Sequence, residues 1–259
     1  MSEMCPKLSL ITVTYNSSAT IGETLKSVRD QTYPNIEYII IDGDSTDNTC
    51  QIIKASGVRV DVLRCEKDKG IYDAMNKGIG LATGDVIGFL NSDDFFSSPN
   101  SIAGMMNPFL RRPINISYGN LDYVHPLDTK KRLRRWVSGH FSQLNLQLGW
   151  MPAHPAFYAR RELFVSLGSF DTSMKIAADY DLMVRFLRVQ DPVSVFYVPE
   201  CVVHMRAGGQ SNRNGISTVW RAGQECVVAG QKNGLLAPRF SAMMKVLRKV
   251  PQLICKPAV

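Results

Sequence analysis

The chain of 259 residues has no long apolar run, no closely spaced cysteine pair and no signal-like N-terminus. No uninterrupted apolar stretch reaches the roughly 18 residues needed to cross a bilayer, so we do not expect an integral membrane protein. The N-terminus has no charged segment followed by an apolar one, and we therefore expect no secretory signal. The six cysteines show no Cys-x-x-Cys spacing, which argues against zinc sites and disulfide frameworks and favours a reducing, cytoplasmic compartment.

The sequence also lacks two common glycine-rich phosphate-binding motifs. Neither Gly-x-Gly-x-x-Gly after the first predicted strand nor Gly-x-x-x-x-Gly-Lys-Ser/Thr occurs. A phosphate group would therefore be held by side chains and a metal ion. With 45% hydrophobic and 20% charged residues, the composition suits one large globular domain or a domain with a small appendage.

The net charge of +7 is compatible with three kinds of partner, namely nucleic acid, an anionic membrane surface and an anionic substrate. Charge alone does not choose among them. The chain has no RNA- or DNA-binding signature, and acidic residues follow its predicted strands, so we expect no nucleic acid as a partner.

In the first half of the chain, β-branched apolar runs alternate with helical patterns. We predict strands near residues 8–14, 36–41, 58–63 and 86–90, and helices near 20–31, 46–56 and 71–81. Thr20 and Glu23 have the spacing of a capping box, which predicts the start of the first helix. The βαβαβαβ order predicts an α/β fold with a Rossmann-like, mostly parallel central sheet and helices on both faces.

Each predicted strand is followed by polar or acidic residues, and the fourth is followed by the pair Asp93 and Asp94. Because ligands bind outside the carboxyl ends of the strands in open α/β sheets, this edge is the predicted binding site. Adjacent carboxylates repel each other unless a cation or hydrogen-bond donors offset their charge, and oxygen-only ligands favour Mg²⁺ or Mn²⁺ over zinc. The alternative is structural, with one acid capping the next helix and the other solvated.

The second half of the chain is less regular. We predict strands near 116–124 and 132–137, a helix near 161–167, and a helix that begins near Asp179. An Asp at this point is either a functional carboxylate or simply the N-cap of its helix. Asp181 lies about 200° around the helix from Asp179 and cannot share its face, so we expect a structural role for Asp181.

Five segments, at residues 10–16, 41–49, 68–78, 91–94 and 177–182, together resemble glycosyltransferase family 2. Each segment is a weak signal, but their order and spacing make the resemblance specific over about residues 8–210. The resemblance implies a glycosyltransferase A-type fold and a nucleotide-diphosphate sugar as donor. It also implies Mn²⁺ or Mg²⁺ as the usual cofactor, and inversion of configuration at the anomeric carbon.

The resemblance also assigns roles to single residues. Donor-binding positions are expected at Thr14, Tyr15, Asp42, Asp68, Asn91, Ser92 and Asp93. Asp93 matches the last acid of the family's Asp-x-Asp metal motif, whereas Asn91 stands where the first acid would be. Metal binding is therefore expected to rest chiefly on Asp93, with Asp94 and His204 as further candidates. Asp44 replaces a common Gly, which we interpret as neutral because Asp tolerates the left-handed region.

Asp179 matches the family's general base, which takes a proton from the acceptor hydroxyl in a single displacement. His154 and Arg206 are candidate substrate contacts; the alternatives are a structural role for His154 and a solvated surface position for Arg206. The glycine-rich segment that follows His204 is expected to fold over the diphosphate.

We divide the chain into a nucleotide-sugar-binding half at 1–115, an acceptor-binding half with the base at 116–215, and a helical extension at 216–259. In the extension, one helical face carries the apolar residues Phe240, Met243, Met244 and Leu247, and the basic residues nearby are Arg239, Lys245, Arg248 and Lys249. This pattern is typical of a helix on a membrane surface, with packing against the core as the alternative. The basic segment 130–135 is either an anion-binding surface or a solvated face.

Together these features predict an inverting, metal-dependent hexosyltransferase that uses a nucleotide-diphosphate sugar, with UDP favoured. The expected acceptor is a polyprenyl-pyrophosphate-linked sugar in the synthesis of a bacterial surface polysaccharide, such as O-antigen or capsule. We expect a cytoplasmic enzyme that is attached peripherally to the inner face of the cytoplasmic membrane. The alternative is a non-catalytic sugar-nucleotide-binding or scaffold protein, because Asn91 removes one acid from the metal motif.

Overall fold

The computed structural model describes residues 5–208 and 215–248. Its strands are β1 (Leu8–Thr14), β2 (Ile36–Asp42), β3 (Val62–Cys65), β4 (Val86–Phe89), β5 (Phe95–Phe96), β6 (Ile116–Val124), β7 (Arg132–Trp136), β8 (Phe157–Arg160) and β9 (Val195–Arg206). Its helices are α1 (Ile21–Arg29), α2 (Thr49–Ala55), α3 (Ile71–Leu81), α4 (Ser101–Arg111), α5 (Gln143–Gln147), α6 (Arg161–Leu167), α7 (Ala178–Arg188), α8 (Gly215–Lys232) and α9 (Pro238–Leu247).

The strands form one sheet in the order β3-β2-β1-β4-β8-β6-β9-β5, with β7 paired to β6. β1 runs parallel to β2 and β4, and β2 runs parallel to β3. β6 and β9 are also parallel, whereas β8 runs antiparallel to both β4 and β6. The predicted α/β fold is confirmed. Because the first four strands are parallel neighbours, their carboxyl ends meet at one edge of the sheet.

Both faces of the sheet are covered by helices. Ile11 and Val13 of β1 pack on one face with apolar residues of α3 and α7, and Leu8 and Leu10 pack on the other with those of α1 and α4. Burial on both sides explains why these strands are continuous apolar runs in the sequence.

Two local predictions are wrong. The side chain of Thr20 makes no capping bond to α1, and Glu23, its expected partner in the capping box, instead forms an ion pair with Arg206 of β9. β3 begins at residue 62 rather than near residue 58. The carboxylate of Asp61 accepts a hydrogen bond from the backbone N–H of Tyr38 at 2.9 Å, so a side chain replaces a ladder bond just before the strand.

The helices α4 and α5 lie in segments for which the sequence predicts no helix. α4 buries Ile102, Met105 and Met106 against the sheet even though it contains Pro108. α5 has a local start signal, because the hydroxyl of Ser142 accepts a hydrogen bond from the backbone three residues later at 3.0 Å.

The helix α9 packs on the protein through its small residues Ser241 and Ala242, which are buried. Its apolar residues Phe240, Met243 and Leu247 are 45%, 51% and 50% exposed. Two of the basic residues expected on a membrane-facing surface contact the protein instead: the Lys245 ammonium lies 4.2 Å from the centroid of the Tyr180 ring, and Arg248 donates to the Leu148 carbonyl at 3.1 Å. Lys249 lies outside the described residues. Throughout 5–208 and 215–248, every helix is too short or too polar to cross a membrane.

Candidate active site

The ends of β1 and β2 form the floor of the predicted donor pocket. Thr14, the last residue of β1, is in register with Asp42, the last residue of β2. Asp42 is fully buried, and its carboxylate oxygens accept hydrogen bonds from the backbone N–H and the hydroxyl of Ser45 at 2.8 and 2.6 Å. The hydroxyl of Thr14 is buried and, among the described residues, has no hydrogen-bond partner. The bonds from Ser45 fix the turn that carries the chain out of β2.

Gly43 shows how closely three loops approach one another. A Cβ atom at this position would lie 2.4 Å from Oδ2 of Asp68 and 3.4 Å from Cδ2 of Tyr15. Asp68 is held in place by the backbone N–H of Gly70, which donates to Oδ1 at 2.8 Å. The structure therefore brings Tyr15 and Asp68 together around the residue that follows Asp42. The Tyr15 ring is 56% exposed, so its face is accessible to a planar base.

Two residues of this pocket adopt left-handed backbone conformations. Asn16 and Asp44 have φ angles of 49° and 67°, so the prediction that Asp44 is tolerated in its turn is confirmed. The Asn16 side-chain carbonyl accepts a hydrogen bond from the backbone N–H of Thr46 at 2.9 Å, and the Asn16 N–H donates to Ser45 Oγ at 2.8 Å. These bonds join the loop after β1 to the loop after β2.

The two adjacent carboxylates after β4 have different surroundings. Asp94 is fully buried, and its two oxygens accept hydrogen bonds from Nδ2 of Asn91 at 3.0 Å and from the backbone N–H of Arg206 at 3.2 Å. Burial, together with the negative charge of Asp93, raises the pKa of Asp94 well above its usual value. Asp93 is only partly buried. Asp94 is therefore a buried acid that is held by two hydrogen-bond donors, and Asp93 is the acid nearer the surface.

Arg206 is 8% exposed, and its side chain joins the segment after β4 to α1. Its guanidinium group donates to the backbone carbonyl of Asp93 and to the carboxylate of Glu23, and it lies 5.1 Å from the centroid of the Phe95 ring. This arrangement holds the backbone at Asp93 from the β9 side. A contact between Arg206 and a diphosphate stays a prediction.

The helix α1 also binds the segment 92–94 that follows β4. The hydroxyl of Thr24 donates to the backbone carbonyls of Ser92 and Asp94 at 3.0 and 2.7 Å. The Ser92 hydroxyl lies 2.8 Å from that of Ser17, in the loop after β1. Ser92 therefore faces the donor side of the sheet edge.

The residues at the end of β4 fit a hard divalent cation. Asp93, Asp94 and Asn91 offer carboxylate and amide oxygens, which are the ligands that Mg²⁺ and Mn²⁺ prefer. Mg²⁺ is commonly held by one or two carboxylates, with its other positions taken by water and substrate phosphates. A cation shared between Asp93 and a diphosphate suits this small set of protein ligands.

The structure places His204 in a separate cluster. A ring nitrogen of His204, a carboxylate oxygen of Asp122 and Sγ of Cys201 lie within 4.8 Å of one another, and the ring packs edge-on against Phe95. Asp122 also accepts hydrogen bonds from Arg135 at 2.7 and 2.8 Å, and a nearby guanidinium disfavours a second cation. Burial lowers the pKa of His204. Its role as a metal ligand stays a prediction, and the glycine-rich segment expected to cover the diphosphate lies, from residue 209 on, outside the described residues.

Asp179 is the second residue of α7 and is partly buried. Its Oδ1 accepts a hydrogen bond from the backbone N–H of Tyr180 at 2.7 Å. Burial raises the pKa of Tyr72, and the charge of Asp179 raises it further. Burial lowers the pKa of His154, and the charge of Asp179 opposes that shift. The charge of Asp179 therefore acts on both Tyr72 and His154.

The His154 ring connects the base region to β4. It stacks on Phe89, the last residue of β4, with centroids 5.3 Å apart, and its buried Nε2 has no hydrogen-bond partner within the described ranges. Asp181, in contrast, is fully buried and accepts hydrogen bonds from Arg185 at 3.3 Å and Asn233 at 2.8 Å. Its predicted structural role is confirmed.

Tyr123 of β6 is affected by the charges of both acidic regions. Burial raises its pKa, the charge of Arg134 lowers it, and the charges of both Asp94 and Asp179 raise it. The Arg134 guanidinium lies 4.0 Å from the centroid of the Tyr123 ring. The charges of Asp94 and Asp179 thus both act on Tyr123, although 85 residues of sequence separate the two acids. Sequence reasoning missed Tyr123 and Arg134, because neither belongs to a local motif.

Two residues of α3 were also missed, although the sequence held a signal. The Tyr72 hydroxyl donates to the Ile176 carbonyl at 2.7 Å, and the Asn76 side chain exchanges two 2.9 Å hydrogen bonds with the backbone of Phe170. Tyr72 and Asn76 are four residues apart on a predicted helix, so they share a face. They connect α3 to the segment that leads to Asp179.

The sequence pattern of a family described as "Glycosyl transferase family 2" matches residues 9–176. The chain belongs to glycosyltransferase family 2. The match contains the donor-side residues from Thr14 to Asp94. Asp179 lies three residues beyond the match, and the segment before it is joined to α3 by the hydrogen bond between Tyr72 and Ile176.

Two relatives of this family 2 glycosyltransferase have informative names. A "PGL/p-HBAD biosynthesis glycosyltransferase" of Mycobacterium bovis (strain BCG / Pasteur 1173P2) is 31% identical over 186 residues, which cover 70% of this chain and 69% of that protein. The "UDP-Glc:alpha-D-GlcNAc-diphosphoundecaprenol beta-1,3-glucosyltransferase WfgD" of Escherichia coli is 34% identical over 119 residues, which cover 46% of this chain and 47% of that protein.

The fold of this family 2 glycosyltransferase is similar to that of mannosyltransferase PcManGT from Pyrobaculum calidifontis, solved in complex with GDP-Man and Mn²⁺. The TM-score is 0.62 at 16% sequence identity, and the alignment covers 98% of this chain and 76% of that one. The similarity shows a common glycosyltransferase A-type fold.

Proposed function

We propose that this protein is an inverting, metal-dependent hexosyltransferase that moves a sugar from a UDP-sugar to a hydroxyl of a lipid-linked glycan. The observation that carries the proposal is that the segment leading to Asp179 packs on the end of β4, the strand that Asp93 and Asp94 follow. The rings of Phe170 and Phe89, the last residue of β4, lie with centroids 5.4 Å apart, and Asp179 follows in the first turn of α7. Asp93 and Asp94 suit a diphosphate with its cation, and Asp179 suits a base.

Asp179 supplies the base. A sugar hydroxyl is a poor nucleophile, and a positioned carboxylate that accepts its proton promotes attack on the anomeric carbon. The attack comes from the face opposite the leaving nucleoside diphosphate, so a single displacement inverts the configuration. Tyr72, which binds the Ile176 carbonyl, and His154, which stacks on Phe89, are proposed to shape this side of the site.

Asp93 is the principal ligand proposed for Mn²⁺ or Mg²⁺, with Asp94 and Asn91 behind it. The cation, when bound, offsets the negative charge that the leaving diphosphate gains as the glycosidic bond breaks. The Mn²⁺ in the PcManGT complex supports this choice of cofactor. Arg206 and Thr24 keep the Asp93 backbone in place.

The donor is proposed to lie over the ends of β1 and β2, with the nucleoside near Tyr15, Asp42 and Asp68. The UDP-glucose in the name of the E. coli relative supports UDP as the nucleotide. The diphosphoundecaprenol in the same name supports a polyprenyl-diphosphate-linked sugar as acceptor, and therefore a role in bacterial surface polysaccharide synthesis. Arg134, whose guanidinium lies over the Tyr123 ring, is the cation proposed to bind the diphosphate of such an acceptor.

The direct test is release of UDP by the purified protein. We expect UDP-glucose or a related UDP-sugar, an α-linked sugar diphosphate lipid and Mn²⁺ to give UDP and a product with inverted anomeric configuration, followed by coupled assay and NMR. Omission of the lipid acceptor or addition of a chelator should remove most of the turnover. If a panel of UDP-, GDP- and dTDP-sugars stabilises the protein in thermal shift but none is turned over, the protein is a non-catalytic binding protein.

We also propose that α9 attaches the enzyme to the cytoplasmic face of the membrane through Phe240, Met243 and Leu247. These residues lie at i, i+3 and i+7 and form an exposed apolar face. In flotation with anionic phospholipid vesicles, the triple change to Ser should lose binding, whereas Val228→Ser on an exposed position of α8 should retain it. Equal flotation of the triple variant and the wild type would contradict this attachment.

A further inference from the structure

Glu225 of α8 binds the segment that leads into α7. Its carboxylate accepts hydrogen bonds from three consecutive backbone N–H groups, those of Lys175 at 3.1 Å, Ile176 at 2.8 Å and Ala177 at 2.9 Å. Burial acts to raise the pKa of Glu225, but these donors lower it overall, so the carboxylate is ionised at neutral pH. Three donors on one anion form a strong, directional anchor.

The same segment is held from the opposite side by α3. The Tyr72 hydroxyl donates to the carbonyl of Ile176 at 2.7 Å, so Ile176 has both of its backbone polar groups bonded to side chains from other helices. The N-cap residue of α7, Ala177, has no polar side chain with which to cap the helix. Glu225 therefore provides, from 48 residues further along the chain, the negative charge that a helix N-terminus favours.

Asp179 stands two residues after Ala177, in the first turn of α7. Its position relative to the donor therefore depends on the path of residues 175–177. Misplacement of a catalytic group by about 1 Å costs up to roughly 100-fold in rate, so an anchor on this segment affects the chemical step.

We infer that Glu225 is a positioning residue for the catalytic base, and that α8 is a working part of the active site. This inference rests on the proposed function, in which Asp179 is the base. Glu225 lies outside residues 9–176, the part that matches the family pattern, so it is a feature of this chain's C-terminal helices. Arg221, one turn earlier on α8, pairs with the same carboxylate at 3.1 Å and is 55% exposed in its side chain.

The test compares Glu225→Ala and Glu225→Gln with the control Arg221→Gln, which removes the ion pair and leaves the carboxylate. We expect Glu225→Ala to lower kcat about 100-fold and Glu225→Gln about 10-fold, since one amide oxygen retains only part of the anchor. The KM for the UDP-sugar should stay within about twofold, because the donor pocket is at the other end of the site. Arg221→Gln should keep kcat near that of the wild type.

A second measurement tests the hydrogen bonds from residues 175–177 to Glu225 in the absence of substrate. Hydrogen–deuterium exchange should show the amides of residues 175–177 protected in the wild type and Arg221→Gln, and fast-exchanging in Glu225→Ala. Protection that persists in Glu225→Ala, or an unchanged kcat despite fast exchange, would overturn the inference. If Glu225→Ala fails to fold, kcat and the amide exchange of residues 175–177 are measured in Glu225→Gln, and the same outcomes confirm or overturn the inference.

The companion variant Asp179→Asn separates the two hypotheses. If the wild type shows no turnover, the proposed function fails. If Asp179→Asn retains wild-type turnover, Asp179 is not the base, and the positioning role of Glu225 fails with that assignment. If Asp179→Asn is inactive while Glu225→Ala and Glu225→Gln fold and turn over normally, only the positioning role is wrong.

Discussion

Replacement of Asp179 by Asn should reduce turnover by roughly 10²- to 10⁴-fold, the contribution typical of a positioned general base. The amide has nearly the same shape and can still accept the 2.7 Å hydrogen bond from the Tyr180 N–H, so the start of α7 should be preserved. It cannot accept a proton from the acceptor hydroxyl. Donor binding should be unaffected, because Asp179 is proposed to act on the acceptor side.

The measurement pairs steady-state kinetics with thermal shift in the presence of UDP and Mn²⁺. The matched control is Asp191→Asn, an exposed acid that follows the same helix and should behave as the wild type. A variant Asp179→Asn that turns over at the wild-type rate would refute the assignment. If Asp179→Asn also lost the thermal stabilisation that UDP and Mn²⁺ give the wild type, Asp179 would belong to the donor side instead.

The donor side of the site could be predicted because it depends on local sequence and on sheet topology. A buried apolar strand followed by a polar loop is visible in the sequence, and parallel neighbours carry such loops to one edge. The register of Thr14 with Asp42 and the approach of Asp68 to Gly43 follow from the order β3-β2-β1. The alternation of strand and helix predicted the meeting of these loops, whereas the donor-binding roles of their residues came from the resemblance to the family and stay predictions.

The contacts that surround Asp179 could not be predicted, because they join residues far apart in the sequence. Glu225 binds a segment about 50 residues before it, and the Tyr72 hydroxyl binds the Ile176 carbonyl 104 residues after it. The failed capping box has the same cause. Glu23 is 183 residues from Arg206, and an ion pair over that separation outweighed the local motif with Thr20.

The pair Asp93 and Asp94 shows that the sequence alone cannot assign different roles to two adjacent identical residues. Adjacent identical acids cannot be ranked from sequence, and the resemblance to the family only favoured the first. Burial separates them: Asp94 is enclosed by Asn91 and the Arg206 backbone, whereas Asp93 remains partly accessible. Asn91, which weakens the metal motif as a missing acid, has a second function here as the donor that satisfies Asp94.

Replacement of Asp93 by Asn should abolish the dependence of donor binding on Mn²⁺. In the wild type, Mn²⁺ should increase the thermal stabilisation produced by UDP, because a ligand that binds the native state more tightly shifts unfolding further. In Asp93→Asn the shift with UDP should be small and equal with and without Mn²⁺, and kcat/KM should fall by at least about 100-fold, as for loss of one electrostatic group at a leaving oxyanion.

The control for this variant is Asp30→Asn, which alters an exposed surface pair with Lys26 and should leave the Mn²⁺ effect unchanged. An undiminished Mn²⁺ effect in Asp93→Asn would assign the cation to other ligands, with Asp94 the nearest. Asp94 is fully buried and accepts hydrogen bonds from Asn91 and from the Arg206 backbone, whereas Asp93 is only partly buried. Asp93 is therefore the carboxylate proposed to bind the cation. One carboxylate is sufficient for such a site, even though the first acid of the family motif is absent, because Mg²⁺ is often held by a single carboxylate together with water and substrate phosphates.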